Sequence, residues 1–225
     1  MIALSLGEAE ALLRKAARGA GRTWGMAEEF GRALRWLEGS GLAAMALAAD
    51  LLAQTDGMAD AALAPAWEEK GGLVHHGAAP LCPIALGTAL SDHANAPGAM
   101  GRIGPVLAPL LLLPYLADIA RRHRQGYAVT WGESRFALTA RGALDAHNVP
   151  APAQRLADWV AWGPSDTEHA AAALQPHRAH CPLSAYASLN RLAERTFAPE
   201  TEARRLSGAG EAKPSPDAAR PKTEG

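Results

Sequence analysis

The amino-terminal quarter of the chain carries apolar residues at the three- and four-residue spacing of amphipathic helices. Ser5 and Glu8 form an S-x-x-E capping box, and an apolar stripe that includes Leu6 and Leu13 follows it. A first helix is therefore predicted to start there. The glycine-rich segment 19–21 should end it.

Two further helices follow from the same spacing. Thr23 belongs to the residue types that cap helices, and the apolar stripe from Ala27 to Leu37 predicts a second helix that ends at the glycines of 39–41. A third helix should run from about Leu42 to Ala53. Three helices with short links predict a compact, bundle-like unit.

The pattern loosens between residues 58 and 104, where glycine and proline interrupt it repeatedly. One helix is predicted there, from about Ile84 to Asn95. Helical spacing returns between Pro109 and Arg124, and the basic end of that segment suits the carboxyl end of a helix dipole.

Strands are predicted next. Residues 127–131 and 135–139 alternate in the manner of strands, and residues 132–134 between them predict a hairpin turn. A third strand is predicted over 156–162, with Asp158 as a bend or an edge charge.

The carboxyl-terminal part should contain a helix from about Pro182 to Arg195 and another turn of helix over 200–206. Residues 207–225 then carry charges and prolines with almost nothing apolar, which predicts a disordered tail.

These elements together predict an α+β protein, in which an N-terminal three-helix unit packs with a small antiparallel sheet and flanking helices. We predict one domain over residues 1–206, with a helical part over about 1–56 and a mixed part over about 57–206.

The composition of the chain excludes two classes of protein. The chain has 225 residues, a formal net charge of −1, 48% hydrophobic residues and 20% charged residues, which excludes a wholly disordered polyelectrolyte and a basic nucleic-acid coat. The charge is unevenly spread, because residues 41–118 hold two basic and seven acidic side chains between mildly basic flanks. A cleft or docking face is expected where these regions meet.

The cysteines and the apolar segments give expectations for the cellular compartment of the protein and for membrane association. Cys82 and Cys181 are too few for a disulfide framework and suit a reducing compartment as buried thiols. The start of the chain lacks the basic region of a secretory signal, so we expect a cytoplasmic protein. The apolar run 103–117 is short and contains three prolines, so we expect no membrane partner.

One cluster has the spacing of metal ligands. His177, His180 and Cys181 supply paired nitrogen and sulfur donors of the kind that zinc prefers. Upstream donors that could complete a site are His75, His76 and Cys82. The Gly/Pro-rich surroundings and the absence of a C-x-x-C or H-E-x-x-H motif favour surface histidines and buried thiols, so we predict no metal site and keep the three residues as candidates.

Two other patterns are set aside. Ser91-Asp92-His93 has the residue types of a hydrolase triad, but immediate neighbours on a helix point in different directions. Asp92 alone could face a cleft.

Basic residues on the first two helices suggest a helix-turn-helix, but Glu28 and Glu29 interleave with them and would repel phosphate. We therefore expect no nucleic-acid partner.

The segment KAARGAGRTWGMAEEFGRALRWL, residues 15–37, resembles the opening signature of an uncharacterised bacterial family, domain of unknown function 3726. Segments 81–92, 109–115 and 196–205 are also similar to that family, and the resemblance covers most of residues 4–210. It implies one coherent unit in the cytoplasm and supplies no reaction.

The resemblance directs attention to charged residues around the 19–21 turn. They could form an ion network between packed helices or a pocket for an anionic metabolite, and we slightly favour the network. The ligand-binding candidates are Arg18, Trp24, Glu28, Arg32, Arg35 and Asp92.

Two hypotheses for function remain. The first is an enzyme or binding protein for a small anionic metabolite, with a cleft between the helical unit and the middle of the chain that uses Arg18 or Arg35 with Asp92. The second is a non-catalytic accessory subunit that docks on a partner enzyme. A homo-oligomer is compatible with both, and the sequence identifies no cofactor.

Overall fold

A computed structural model describes residues 1–69, 72–94, 100–145, 154–166 and 176–197 of the chain. Within these ranges the chain forms both helices and small antiparallel sheets, so the predicted α+β class is confirmed. The predicted turn of helix over 200–206 and the predicted tail over 207–225 lie outside the described residues.

Seven α-helices and one 3₁₀ helix occur in the described ranges. They are α1 (Leu6–Gly19), α2 (Trp24–Gly39), α3 (Met45–Gln54), α4 (Asp60–Leu63), α5 (Pro83–His93), the 3₁₀ helix (Pro109–Leu112), α6 (Leu113–His123) and α7 (Leu183–Glu194).

The strands are short. They are β1 (Ile2–Ser5), β2 (Ala66–Glu68), β3 (Gly72–Val74), β4 (Gly101–Ile103), β5 (Val106–Leu107), β6 (Gly126–Trp131), β7 (Ser134–Leu138), β8 (Leu144–Asp145), β9 (Leu156–Ala157), β10 (Val160–Ser165) and β11 (Arg178–Cys181).

The first two helices begin where the caps predict. The Ser5 backbone N–H donates to Glu8 Oε2 at 2.7 Å and the Glu8 N–H donates to Ser5 Oγ at 3.2 Å, which completes the capping box of α1. Thr23 Oγ1 accepts from the Met26 N–H at 3.4 Å and caps α2. Both helices place their apolar stripes in the core.

The third helix begins three residues later than predicted. Gly41 has a φ of +80°, and the Leu42 N–H donates back to the Leu37 carbonyl at 2.9 Å, so the end of α2 uses these residues. The buried Glu38 carboxylate then accepts from the N–H groups of Ala44 and Met45 at 2.7 and 3.1 Å. A side chain from the preceding helix therefore caps α3.

The segment 109–124 is not one uniform helix. It starts as the 3₁₀ helix and continues as α6, with Pro114 in the first turn of α6, where the missing proline N–H costs nothing. Helix α6 ends at Arg124, which has a φ of +53°.

The main sheet has five antiparallel strands in the order β4-β10-β6-β7-β8. The hairpin of β6 and β7 is confirmed, with Trp131 opposite Ser134 across the turn. The strand predicted over 156–162 is interrupted at Asp158, where the chain makes the bend that is one of the two alternatives predicted for that residue, and the two halves pair with different strands. β9 pairs with β5, whereas β10 joins the main sheet.

The other sheets bring distant parts of the chain together. β1 pairs with β11, with Ile2 opposite Cys181, and this two-stranded sheet packs against the first three helices. One hydrophobic core extends from α1–α3 through the 3₁₀ helix and α6 to β6 and β7. In the described part of the chain no helix has the length and apolar character needed to cross a membrane.

Candidate functional site

A cavity of about 340 Å³ lies between α2, α6, the end of α5 and the turn that joins β7 to β8. This volume is within the range of roughly 300–1,000 Å³ that is typical of small-molecule sites. Its wall combines charged, aromatic and small apolar side chains. The lining residues are Glu29, Arg32, Ala33, Trp36, Ser91, Pro114, Tyr115, Ala117, Asp118, Arg121, Arg141 and Gly142.

Two of the three lining arginines already have carboxylate partners. Arg32 pairs with Glu29, three residues earlier on α2. Arg121 pairs with Asp118, which is three residues earlier on α6 and also lies 3.2 Å from the Arg122 guanidinium. These pairs are solvent-exposed, so each stabilises the fold by at most about 1 kcal/mol, and their spacing follows from the helix repeat.

The third arginine is held at the cavity by a tight turn. Thr139 Oγ1 accepts from the N–H groups of Arg141 and Ala143 at 3.3 and 3.2 Å, and the Gly142 N–H donates to the Thr139 carbonyl at 2.8 Å. The exposed Arg141 guanidinium has no hydrogen-bond or ion-pair partner among the described residues. It is thus a guanidinium with all its donors free for a ligand.

Gly142 lets this turn approach α6 closely. Its φ is +72°, and a Cβ atom there would lie 2.6 Å from the Ala117 carbonyl oxygen, too close for any other residue. The indole Nε1–H of Trp36 donates to the Gly142 carbonyl at 3.3 Å, which ties α2 to the same turn. The Trp36 ring is therefore fixed as one wall of the cavity.

Tyr115 is a largely buried residue of the cavity lining. The residue is 5% exposed, and its hydroxyl has no hydrogen-bond partner in the described structure. Its ring packs on α5 at Gly87, where a Cβ atom would lie 2.4 Å from the ring. Burial raises the pKa of the phenol well above its ordinary value, with smaller effects from the charges of Cys82, Glu29 and Arg32. The hydroxyl therefore stays neutral and can donate a hydrogen bond.

The arrangement suits the binding of an anion with an apolar body. A guanidinium with free donors, that of Arg141, lies in the same cavity lining as the aromatic ring of Trp36 and the small apolar side chains of Ala33 and Ala117.

Only one of the six predicted ligand residues lines this cavity, namely Arg32. Arg18 stacks on the exposed Trp24 ring at 4.6 Å and donates to the Arg22 carbonyl. Arg35 pairs with Glu10 at 3.1 Å, across from α2 to α1.

The other two predicted residues are exposed. Glu28 lies on the solvent face of α2, and Asp92 lies at the end of α5 next to the lining residue Ser91. The structure does not bring Arg18 or Arg35 together with Asp92 in either of the two cavities described here.

The sequence did not single out the residues that matter most in the cavity. Tyr115 lies within an apolar run that predicts core, and Arg141 lies in a turn whose position depends on the sheet. Trp36 is a large aromatic residue directly after Arg35, but its helical spacing alone predicts a packing role.

Arg22 is a second residue whose role the sequence did not indicate. It is fully buried, and its guanidinium donates to Asp60 at 2.6 Å and to the carbonyls of Thr55 and Met58 at 2.6 and 2.9 Å. These bonds hold the connection between α3 and α4 against the end of α1, so this buried charge has a structural role.

The metal-ligand candidates do not converge. β11 places the exposed His180 and the buried Cys181 on opposite faces of the strand, and His177 precedes it on the surface. His76 pairs with Glu68 at 2.8 Å instead. Across the described ranges, no group of three or more His, Cys, Asp or Glu side chains could hold a metal ion.

A second cavity of about 260 Å³ lies between the β2–β3 hairpin, the end of α5 and the β4–β10 edge of the main sheet. It is mostly aromatic and apolar. The exposed Trp67 stacks on His93 with 4.0 Å between ring centroids, and Met100 and Trp162 complete this wall. Its arginine, Arg102, is exposed and stacks on the Trp159 ring, with 4.2 Å between the guanidinium carbon and the ring centroid.

Comparisons with curated proteins and with solved structures found no match. A comparison with family models did find one, and it includes the Arg32 and Trp36 side of the larger cavity but not Tyr115 or Arg141. Residues 4–76 match the family described as Protein of unknown function (DUF3726), so the resemblance to the domain of unknown function 3726 is confirmed over that segment.

Proposed function

We propose that the protein binds a small anionic metabolite in the cavity between α2, α6 and the β7–β8 turn. The observation that carries the proposal is the Arg141 guanidinium, which has no partner among the described residues and lies in the same cavity lining as the Trp36 ring, which its hydrogen bond to Gly142 holds in place. An arginine fork matches a carboxylate or phosphate bidentately, which gives such a site its preference for anions.

The experiment is a calorimetric titration of the full-length protein with small aryl carboxylates and phosphates, beginning with benzoate and phenyl phosphate. The variant Arg141→Gln should weaken binding at least about tenfold, because a hydrogen bond to a charged group is worth about 1.5–3 kcal/mol. Arg135→Gln is the matched control, since Arg135 is an exposed arginine on the neighbouring strand β7 that does not line the cavity.

Arg135→Gln should leave the affinity unchanged. Two results would overturn the proposal: no anion of this size binds to the wild-type protein, or Arg141→Gln binds as tightly as the wild type does.

A second candidate function is that of an accessory subunit that docks on a partner. The observation in its favour is the exposure of Trp67 and Met100 beside the second cavity, at 48% and 76% of their surface. Exposed apolar residues that are grouped together are typical of interaction surfaces. Affinity capture with wild-type protein and with Trp67→Ser should then differ in the partner recovered, and identical recovery would count against this function.

We place the protein in the cytoplasm. Both cysteines are buried free thiols, which supports a reducing compartment.

A further inference from the structure

We infer that the cavity between α2, α6 and the β7–β8 turn binds the doubly charged phosphate group of a small phosphate monoester, held between Arg141 and Arg121. This inference rests on the proposed function and deepens it, since it names the class of anion and adds Arg121 as a second ligand contact. Its support is the closeness of the two arginines, the second partner of Asp118 and the charge of the lining.

The backbone positions of the two arginines are close together. A Cβ atom at Gly142, the residue after Arg141, would lie 3.3 Å from the Cβ atom of Arg121. The turn therefore packs on α6 at the base of the Arg121 side chain, and both arginines line the same cavity. Because the two long side chains start from neighbouring positions, their guanidinium groups can reach one anionic group.

Arg121 can exchange its carboxylate partner for a ligand. Its ion pair with Asp118 is exposed, at 67% and 44% of the two side chains, so water screens the pair and its contribution to stability is small. Asp118 also lies 3.2 Å from the Nε atom of Arg122. When a ligand draws Arg121 away, Asp118 therefore keeps a cationic partner.

Arg122 is held in the position that this exchange requires. Its Nη1 and Nη2 atoms both donate to the Ser91 carbonyl at 3.2 Å, which ties α6 to the end of α5, while its Nε atom pairs with Asp118. Arg122 is not among the residues that line the cavity, whereas Arg121 is. The division is thus clear: Arg122 holds the carboxylate, and Arg121 is placed to meet the ligand.

The charge of this region suits a dianion. The described lining contains three arginines and two carboxylates, namely Arg32, Arg121, Arg141, Glu29 and Asp118, so it is net positive. Arg122, which shares Asp118, brings the formal charge of the group to +2. A phosphate monoester has a second pKa of about 6 and carries about two negative charges at pH 8. Such a ligand neutralises the group.

The closeness of the two arginines favours one phosphate over two separate carboxylates. One guanidinium fork matches the two oxygens of one carboxylate. A phosphate monoester presents three strong acceptor oxygens on one phosphorus atom, so two guanidinium groups can donate to it together. The organic part of the ester then lies against the Trp36 ring and the small side chains of Ala33 and Ala117. A volume of about 340 Å³ is near the lower end of the range for small-molecule sites, so we expect a small ester.

The test compares phenyl phosphate with phenyl sulfate by calorimetry at pH 8, with the full-length protein. The two probes have the same ring and similar shapes, but the phosphate ester carries about two negative charges and the sulfate ester a single one. We expect phenyl phosphate to bind at least about tenfold more tightly, because only the dianion draws Arg121 from Asp118 and gains its charge-assisted hydrogen bonds.

Three variants locate the effect. Arg121→Gln should reduce the preference for phenyl phosphate to less than about threefold and change the affinity for phenyl sulfate little, because Arg141 remains. Arg124→Gln is the matched control and should keep the preference, since it removes the same charge from an exposed side chain at the end of α6 that does not line the cavity. Asp118→Asn removes the competing carboxylate and should tighten the binding of phenyl phosphate.

The outcomes separate this inference from the proposed function. If phenyl sulfate binds at least as tightly as phenyl phosphate and both depend on Arg141, the anion site stands and the phosphate inference is overturned. If Arg121→Gln keeps the preference for phenyl phosphate, or if Asp118→Asn weakens its binding, the exchange at Arg121 is overturned. If neither probe binds to the wild-type protein, the inference fails, and the proposed function fails with it unless benzoate binds.

Discussion

At the scale of single residues, a buried carboxylate can hold two helices together and still weaken the fold at neutral pH. Glu38 is 5% exposed and caps α3 through the N–H groups of Ala44 and Met45. Burial raises the pKa of Glu38, and the two backbone hydrogen bonds and the charge of His180 oppose that rise only in part. The carboxyl therefore keeps its proton more tightly in the folded state than in the unfolded state.

Stability should accordingly fall as the pH rises from the ordinary glutamate pKa of 4.5 to the raised pKa that Glu38 has in the folded protein. Glu38→Gln keeps an oxygen that accepts the two N–H groups and removes the charge. We predict that the variant lacks this loss and is at least as stable as the wild type at pH 7, as measured by urea unfolding between pH 4 and 8.

Glu28→Gln, on the exposed face of the same helix, is the control and should follow the wild type at every pH. A constant difference between Glu38→Gln and the wild type across this pH range would contradict the prediction.

Arg22 is a buried charge that stabilises the fold, in contrast to Glu38. Each nitrogen of its guanidinium except Nε has a hydrogen-bond partner. Arg22→Leu leaves Asp60 and the backbone carbonyls of Ala20, Thr55 and Met58 without their donor, so we predict a loss of about 3–5 kcal/mol in the free energy of unfolding. Arg35→Leu removes an exposed pair with Glu10 and should cost under about 1 kcal/mol. Equal losses in chemical denaturation would show that the Arg22 bonds are not structural.

At the scale of elements, the candidate site depends on the contact between the β7–β8 turn and α6. Gly142→Ala adds an atom 2.6 Å from the Ala117 carbonyl and also strains a φ of +72°. We predict that the turn moves away from α6, which breaks the Trp36 bond, displaces Arg141 and reduces anion affinity as well as stability.

Gly132→Ala separates these two effects. Gly132 also has a positive φ, +51°, but open space surrounds its Cβ position except for Gln154 at 3.9 Å. That variant should cost about 1–2 kcal/mol of stability from backbone strain and leave anion binding intact. Equal anion affinity in the two alanine variants, measured by calorimetry, would be inconsistent with the close approach of the turn to α6.

Across the whole molecule, short sequence motifs were sufficient to predict the helix starts and turns that contain them. The capping box at Ser5 and the β6–β7 hairpin followed from a few adjacent residues, because caps and tight turns satisfy their hydrogen bonds within the same segment. The start of α3 was misplaced, because its cap is a side chain from the preceding helix, Glu38.

Pairings between distant segments were not predictable in the same way. β1 and β11 are four residues each and meet across most of the chain, and strands this short contain too few positions to show an alternating pattern. Residues 156–162 do contain strand segments, but these pair with different partner strands. The change of partner determines where the strand is interrupted.

The sequence did not indicate this cavity for a related reason. A dense group of charges on α1 and α2 suggested a pocket, whereas most of these residues pair with neighbours on the surface. The slightly favoured interpretation of a helix-packing ion network describes Arg35 and Glu10 better than the cleft hypothesis does. The cavity instead forms where α2, α6 and a turn of the sheet meet, a convergence that no single segment encodes.

The proposed anion site has Arg141 and the Trp36 ring in one cavity lining. The most direct measurement is a titration of the ¹⁵N-labelled full-length protein with benzoate and, separately, with phenyl phosphate, followed through the indole N–H signals, with Trp36→Phe to assign the signal. We expect a saturable shift of the Trp36 signal with at least one probe, little change for the exposed Trp24 and Trp67, and loss of the shift in Arg141→Gln. A Trp36 signal that stays fixed with both probes, or one that shifts equally in Arg141→Gln, would contradict it.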